Sequence, residues 1–278
     1  MKLTSLRDGL AVFEQHGAGD VVVLLHPGNM DHRCWDEVAA NIAPADQGPR
    51  LVAYDRCGYG VSASNRVADD VEDLRTVIET LEVERVFLAG NSAGAGIACQ
   101  FALRWPDVVA GLLLLAPAVP GAPTPDVATL PVRERHLLEL ALGEVQPDAA
   151  ASAELRLWLD GPAANDGRVA GTTRRRTYDL ILTHRREGGV EDADDPLSDT
   201  WDRLSEIKAP VWIVAGGMDL HFVVDNAKIM AARIVGARSH TWPDAAHLLT
   251  MEHPTRVASK IRDLIATANQ ERRPRDDA

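Results

Sequence analysis

The sequence predicts an α/β fold: a mostly parallel, doubly wound sheet that carries a helical insertion. Three observations predict it. Continuous apolar runs of strand length recur along the chain, and amphipathic helical stretches lie between them. From about residue 120 to residue 204 the strand runs stop while helical patterns continue. Strands that alternate with helices demand right-handed crossovers, so they run parallel and both faces of the sheet are covered. A chain of 278 residues is long for one core, yet compatible with a single α/β domain interrupted by an insertion.

Val21-Val22-Val23-Leu24-Leu25 is apolar and β-branched throughout, as a strand buried on both faces should be. Residues 51–54, 86–89, 112–115 and 211–215 repeat the pattern. Between them, residues 67–81 place Val71, Leu74, Val77, Ile78 and Leu81 on one helical face, and residues 95–104 also read as helix. The connector Pro120-Gly121-Ala122-Pro123-Thr124-Pro125 opens the insertion, whose helical patterns include 133–142 and 153–159. A second connector, Glu191-Asp192-Ala193-Asp194-Asp195-Pro196, lies near its close. A short strand pattern at Arg238–Trp242 and a helix over 254–267 complete the chain. The expected organisation is a core of residues 1–119 and 205–268, a helical cap over 120–204, and a charged, proline-bearing tail over 269–278.

A net charge of −12 argues against nucleic acid or an anionic membrane surface as partner, because both would repel the chain. No stretch approaches the roughly 20 apolar residues that span a bilayer. The N-terminal residues lack the apolar core of a signal peptide. Cys34, Cys57 and Cys99 are scattered and odd in number, which suggests a reducing compartment and supports neither a disulfide framework nor a zinc site. The expectation is a cytoplasmic protein without metal or organic cofactor, its oligomeric state left open.

Gly90-Asn91-Ser92-Ala93-Gly94 follows one strand run directly and opens a helical stretch. This is G-x-S-x-G in a strand-to-helix turn. Such a turn strains the serine backbone, and flanking glycines supply room. The helix N-terminus brings N–H groups and a positive dipole end to the Ser92 hydroxyl, so the Ala93 N–H can stabilise an oxyanion. A plainer account is a serine N-cap with glycines for close packing. A serine hydroxyl needs a base. His247, in Asp244-Ala245-Ala246-His247-Leu248-Leu249, follows a strand pattern on the side where catalytic groups gather in open α/β sheets. The other eight of the 9 histidines have weaker contexts, His26, His221, His240 and His253 being the ones to compare. Asp219 follows a buried strand through Gly216-Gly217-Met218 and would orient the imidazole; Asp225 and Asp244 are the fallbacks. Gly28, in His26-Pro27-Gly28-Asn29-Met30 after the first buried strand, is the candidate second oxyanion donor, with Asn29 or Met30 lining the cavity.

Leu24-Leu25-His26-Pro27-Gly28 with Trp35, Asp55-Arg56-Cys57-Gly58-Tyr59-Gly60-Val61-Ser62, the Ser92 pentapeptide and His247 followed by Glu252-His253-Pro254 together resemble the α/β-hydrolase superfamily, in its capped esterase and lactonase branch with a Ser-Asp-His triad. The resemblance covers nearly the whole chain outside the insertion. Pro27 and Ala246 depart from it by standing where glycine is usual, and Cys57 by adding a side chain within the Gly-rich loop. It implies an acyl-enzyme on Ser92, with a small ester or lactone as substrate. It also implies a substrate pocket drawn from His26, Asn29, Met30, Trp158, Tyr178 and Leu248, under a lid formed by the insertion. Leu137, Leu138 and Leu182 are as readily core as pocket. Gly90-Asn91-Ser92 resembles C–C hydrolases of aromatic catabolism, whereas Leu248 stands where those enzymes often have tryptophan. A non-hydrolytic enzyme of the same fold, or a ligand receptor with little turnover, would carry the same motifs. Arg174, Arg175, Arg176, Arg185 and Arg186 invite an anionic substrate, but a solvated helix face accounts for them more simply.

Overall fold

The computed structural model describes residues 2–5, 9–42, 48–62, 68–143, 146–187 and 199–272. Eight strands form one sheet: β1 (Lys2–Ser5), β2 (Ala11–Gln15), β3 (Val21–Leu25), β4 (Arg50–Tyr54), β5 (Val86–Asn91), β6 (Val109–Leu115), β7 (Val211–Gly216) and β8 (Arg238–Trp242). Their order is β1-β2-β4-β3-β5-β6-β7-β8. β2 pairs antiparallel with β1 and β4, and every other pairing is parallel. The sheet is therefore mostly parallel, as the apolar runs predict. β1 and β2 escape the apolar-run criterion: β2 buries only Ala11 and Val12 fully, and its later residues are half-buried at the sheet margin.

The helices are α1 (Asp36–Ala40), α2 (Asp70–Glu79), α3 (Ala93–Arg104), α4 (Val132–Leu142), α5 (Pro147–Glu154), α6 (Gly171–Glu187), α7 (His221–Arg233), α8 (Leu249–Glu252) and α9 (Pro254–Arg272). Side chains on a strand alternate between faces, and the core divides accordingly. Val22, Leu24, Phe87, Leu113 and Val214 join α1, α9 and the apolar side chains of the insertion. Val21, Val23, Leu88, Leu112 and Ile213 join α2, α3 and α7.

Three expectations are corrected. α2 starts at Asp70, because the Asp69 carboxylate accepts from the N–H groups of Val71 and Glu72 and caps the helix there; residues 63–67 lie outside the described residues. The tail does not begin at residue 269. Ala268 is buried, the Asn269 side chain donates to Asp20 at 2.8 Å, and α9 runs to Arg272; residues 273–278 lie outside the described residues, as does the connector 191–196. The helical pattern over 153–159 changes type within itself: α5 passes at Leu155 into a wider π-helical turn, Leu155–Asp160.

Candidate active site

Ser92 joins β5 to α3 with φ +54° and ψ −118°, a conformation that non-glycine residues rarely adopt. Its N–H donates to Leu115 O at 2.9 Å, and its carbonyl accepts from Ala118 N–H at 3.2 Å, so neighbouring backbone holds the turn. The flanking glycines are needed for close approach. A Cβ on Gly90 would lie 2.3 Å from Gly94 O, and one on Gly94 would lie 2.4 Å from Leu25 O.

Asp219 and His247 reach the same edge from the ends of β7 and β8. His247 Nδ1 donates to Asp219 Oδ2 at 2.6 Å, with both residues buried. The other Asp219 oxygen accepts from Leu220 N–H at 2.7 Å, which fixes the carboxylate plane. With the proton assigned to Nδ1 by this contact, Nε2 keeps a free lone pair. The tilted Trp158 ring packs on the imidazole with centroids 4.6 Å apart. Among the described residues, no hydrogen bond joins the Ser92 hydroxyl to His247. Asn91 joins the two sides instead: its Nδ2 donates to Leu115 O and to His247 O, each at 3.2 Å.

Gly28 and Ala93 also meet, since a Cβ on Gly28 would lie 3.8 Å from that of Ala93. The loop carrying Gly28 rests on a set of polar contacts. Tyr59 Oη donates to Gly28 O at 3.1 Å. His26 accepts Arg56 N–H on Nε2 at 3.0 Å and bonds Pro27 O through Nδ1 at 2.8 Å. Burial and then the Arg56 guanidinium hold this imidazole well below its usual range, so it is neutral. Asn29 Nδ2 donates to Glu154 Oε2 at 2.7 Å, and Glu154 is also paired with Arg185.

His26, Met30 and Leu248 are fully buried, the last two within apolar core and the first as a prop under the loop. A cavity of about 430 Å³ opens beside Ala93, walled by Ile97, Pro117, Val119, Phe222 and Val223. Tyr178 lines a different one, about 510 Å³, on the insertion. Four of the five arginines of the cluster are paired with carboxylates, while Arg175 is exposed. Arg174 pairs with Asp160, Arg176 with Asp36 and Glu37, Arg185 with Glu154 and Arg186 with Asp148. Asp31, His32 and Asp55 come close enough to suggest a metal. Their donors are already engaged, Asp31 by Arg33 and Asp55 by His32 and the Val61 N–H.

Asn91, Arg56, Tyr59, Glu154, Arg168 and Glu252 are among the polar residues around this site that sequence reasoning did not single out for a role. Glu252 lies in the quoted segment after His247, but nothing in that segment signals a buried carboxylate.

Residues 22–260 match the model of the Alpha/beta hydrolase family. The chain is similar to 2-hydroxy-6-oxo-6-phenylhexa-2,4-dienoate hydrolase of Comamonas testosteroni, 26% identical over 251 residues that cover 87% of this chain and 86% of that one. Its fold is similar to that of a thermophilic esterase from Thermogutta terrifontis, with TM-score 0.76, 23% identity, and 96% of this chain and 99% of that chain covered. It is also similar to an enol-lactonase from Burkholderia xenovorans LB400, with TM-score 0.71, 19% identity, and 95% and 100% covered.

Proposed function

Because this chain belongs to the alpha/beta hydrolase family, we propose that it hydrolyses a small ester or lactone through an acyl-enzyme formed on Ser92. The observation that carries the reading is the buried 2.6 Å contact between His247 Nδ1 and Asp219 Oδ2, one loop away from a serine at positive φ. Asp219 holds the Nδ1 proton, so Nε2 takes the proton of the Ser92 hydroxyl as oxygen attacks the carbonyl. The N–H groups of Ala93 and Gly28 would receive the oxyanion, at a helix N-terminus where the dipole favours negative charge. His247 then protonates the leaving oxygen, and a water activated by the same nitrogen releases the acid. No step calls for a metal or organic cofactor. Residues 120–204 act in this reading as a cap over the core formed by 1–119 and 205–268, and the protein works in the cytoplasm on a small-molecule substrate.

A second reading is C–C bond hydrolysis next to an activated carbonyl. The dienoate hydrolase relative and the Gly90-Asn91-Ser92 segment favour it. Both reactions use the same serine. Hydrolysis of short p-nitrophenyl esters, measured beside loss of a 2-hydroxy-6-oxo-dienoate, separates them. In either case Ser92→Ala and His247→Ala should each lower kcat by about 10⁴-fold or more. Turnover that persists in Ser92→Ala would overturn the assignment.

A further inference from the structure

The loop carrying His247 is held by a second set of polar contacts, reaching it from the insertion. Three successive N–H groups, those of Ala246, His247 and Leu248, point to two acceptors. Ala246 N–H donates to both oxygens of Glu252, each at 3.0 Å. His247 and Leu248 N–H both donate to Trp158 O, at 3.0 and 3.3 Å. Trp158 belongs to the π-helical turn Leu155–Asp160, whose last carbonyls have no partner inside the helix. One side chain binds the rest of that end. Arg168 donates to Asp160 O at 2.7 Å through Nε, to Leu159 O at 2.6 Å through Nη2 and to Asp244 O at 2.8 Å through Nη1; Nη2 also meets Glu252 Oε2. Its planar fork thus spans the insertion and both flanks of the His247 loop, which a lysine's single nitrogen would not do.

We propose that Arg168 and Glu252 are positioning residues for His247, and that through them the insertion sets where the catalytic base stands. The inference rests on the reading of His247 as the base. A displacement of about 1 Å from reacting geometry can cost about 100-fold in rate, and the contacts above fix the backbone on both sides of the imidazole. Trp158 contributes twice, by its carbonyl to the loop and by its ring to the imidazole. The Glu252 side chain is 1% exposed, and burial pushes its carboxyl up to about 7, against the pull of Arg168. The charged groups around the loop are Asp219 before α7, Glu252 in α8, Arg168 and the Asp160–Arg174 pair in the insertion, and Asp244 with Arg256 and His253.

The test compares Glu252→Gln and Arg168→Lys with the parent. It reads kcat and KM for p-nitrophenyl acetate, the pH profile of kcat/KM, the NMR titration of the His247 imidazole, and the melting temperature. Glu252→Gln loses one of the two acceptors for the Ala246 N–H and the anion that Glu252 becomes above about 7, so the His247 imidazole resonances and the pH profile above that value change while kcat falls about 10-fold and KM stays within about twofold. Arg168→Lys keeps the cation but loses carbonyl contacts, so kcat falls with little movement of the profile. A lower melting temperature in both variants, with parental kcat, profile and NMR midpoint, would overturn the proposal and leave a purely structural pair. Absence of Ser92-dependent turnover in the parent would instead remove the reading of His247, and the NMR midpoint would still decide whether Glu252 and His247 are coupled.

Discussion

At Ser92 the backbone sits at φ +54°, a conformation that costs on the order of 1–3 kcal/mol unless its surroundings hold it. Bonds to Leu115 and Ala118 hold it, and the strain leaves the hydroxyl at the open end of the sheet. Asp219 acts on a different quantity, the tautomer of His247. Asp219→Asn should lower kcat by about 10⁴-fold with little change in melting temperature, because an amide of the same shape can present a donor to Nδ1. Steady-state kinetics and a thermal scan on one preparation check both halves. Glu252 gives a pH signature. Its proton is held more tightly in the folded protein, at about 7, than at its ordinary 4.5, so its contribution to stability is full at low pH and declines as pH rises between those values. The melting-temperature gap between the parent and Glu252→Gln should therefore widen as pH falls from 7 to 5.

At the scale of elements, α6 fastens the insertion to the loop that carries Gly28. His184 stacks on Tyr59 with ring centroids 4.6 Å apart, and Tyr59 reaches Gly28 O. Arg185 pairs with Glu154, which in turn accepts from Asn29. Glu154 is 2% exposed, so Glu154→Ala would strand the Arg185 charge and the Asn29 amide and cost about 3 kcal/mol, measurable by urea denaturation. Burial, then Arg56 and Arg185, hold His184 down at about 4, below its ordinary 6.5. Unfolding lets it take up a proton at pH values where the folded protein resists one. Its contribution is therefore present above 6.5 and lost as pH falls toward 4. His184→Phe retains a ring against Tyr59 and should flatten that acid slope in stability against pH. An unchanged slope would mean that another group titrates there.

Across the whole molecule, the insertion is not a separate body on a hinge. Leu137, Ala153, Leu157, Leu159 and Ile181 share one continuous apolar cluster with Leu24, Leu113 and Val214 of the sheet. Arg176 adds ion pairs from α6 to α1. Chain segments that share a core unfold together. Near-UV dichroism, which reports Trp158 beside the core tryptophans, and far-UV dichroism should give coincident melting curves. An early near-UV transition would show that the insertion detaches first.

The central strands and the serine turn were legible in the sequence because their causes are local. A strand covered on both faces must be apolar throughout, as Val21–Leu25 is, and a strained serine between crowded glycines leaves the pattern 90–94. Strand ends and the turns after them also pointed to Asp219 and His247, which the structure brings into contact. The margin strands β1 and β2 were illegible because half-buried residues carry no continuous apolar run. Burial of pocket candidates was illegible for a related reason: an apolar or histidine side chain near a loop reads the same in sequence whatever its exposure, and His26, Met30 and Leu248 are fully buried. What only the tertiary structure decided are the partnerships between distant charges. Arg168 meets Glu252 across 84 positions and Glu154 meets Asn29 across 125. A charged residue in sequence shows its capacity to pair, while its partner is chosen by which segments the packed core brings together and removes from water.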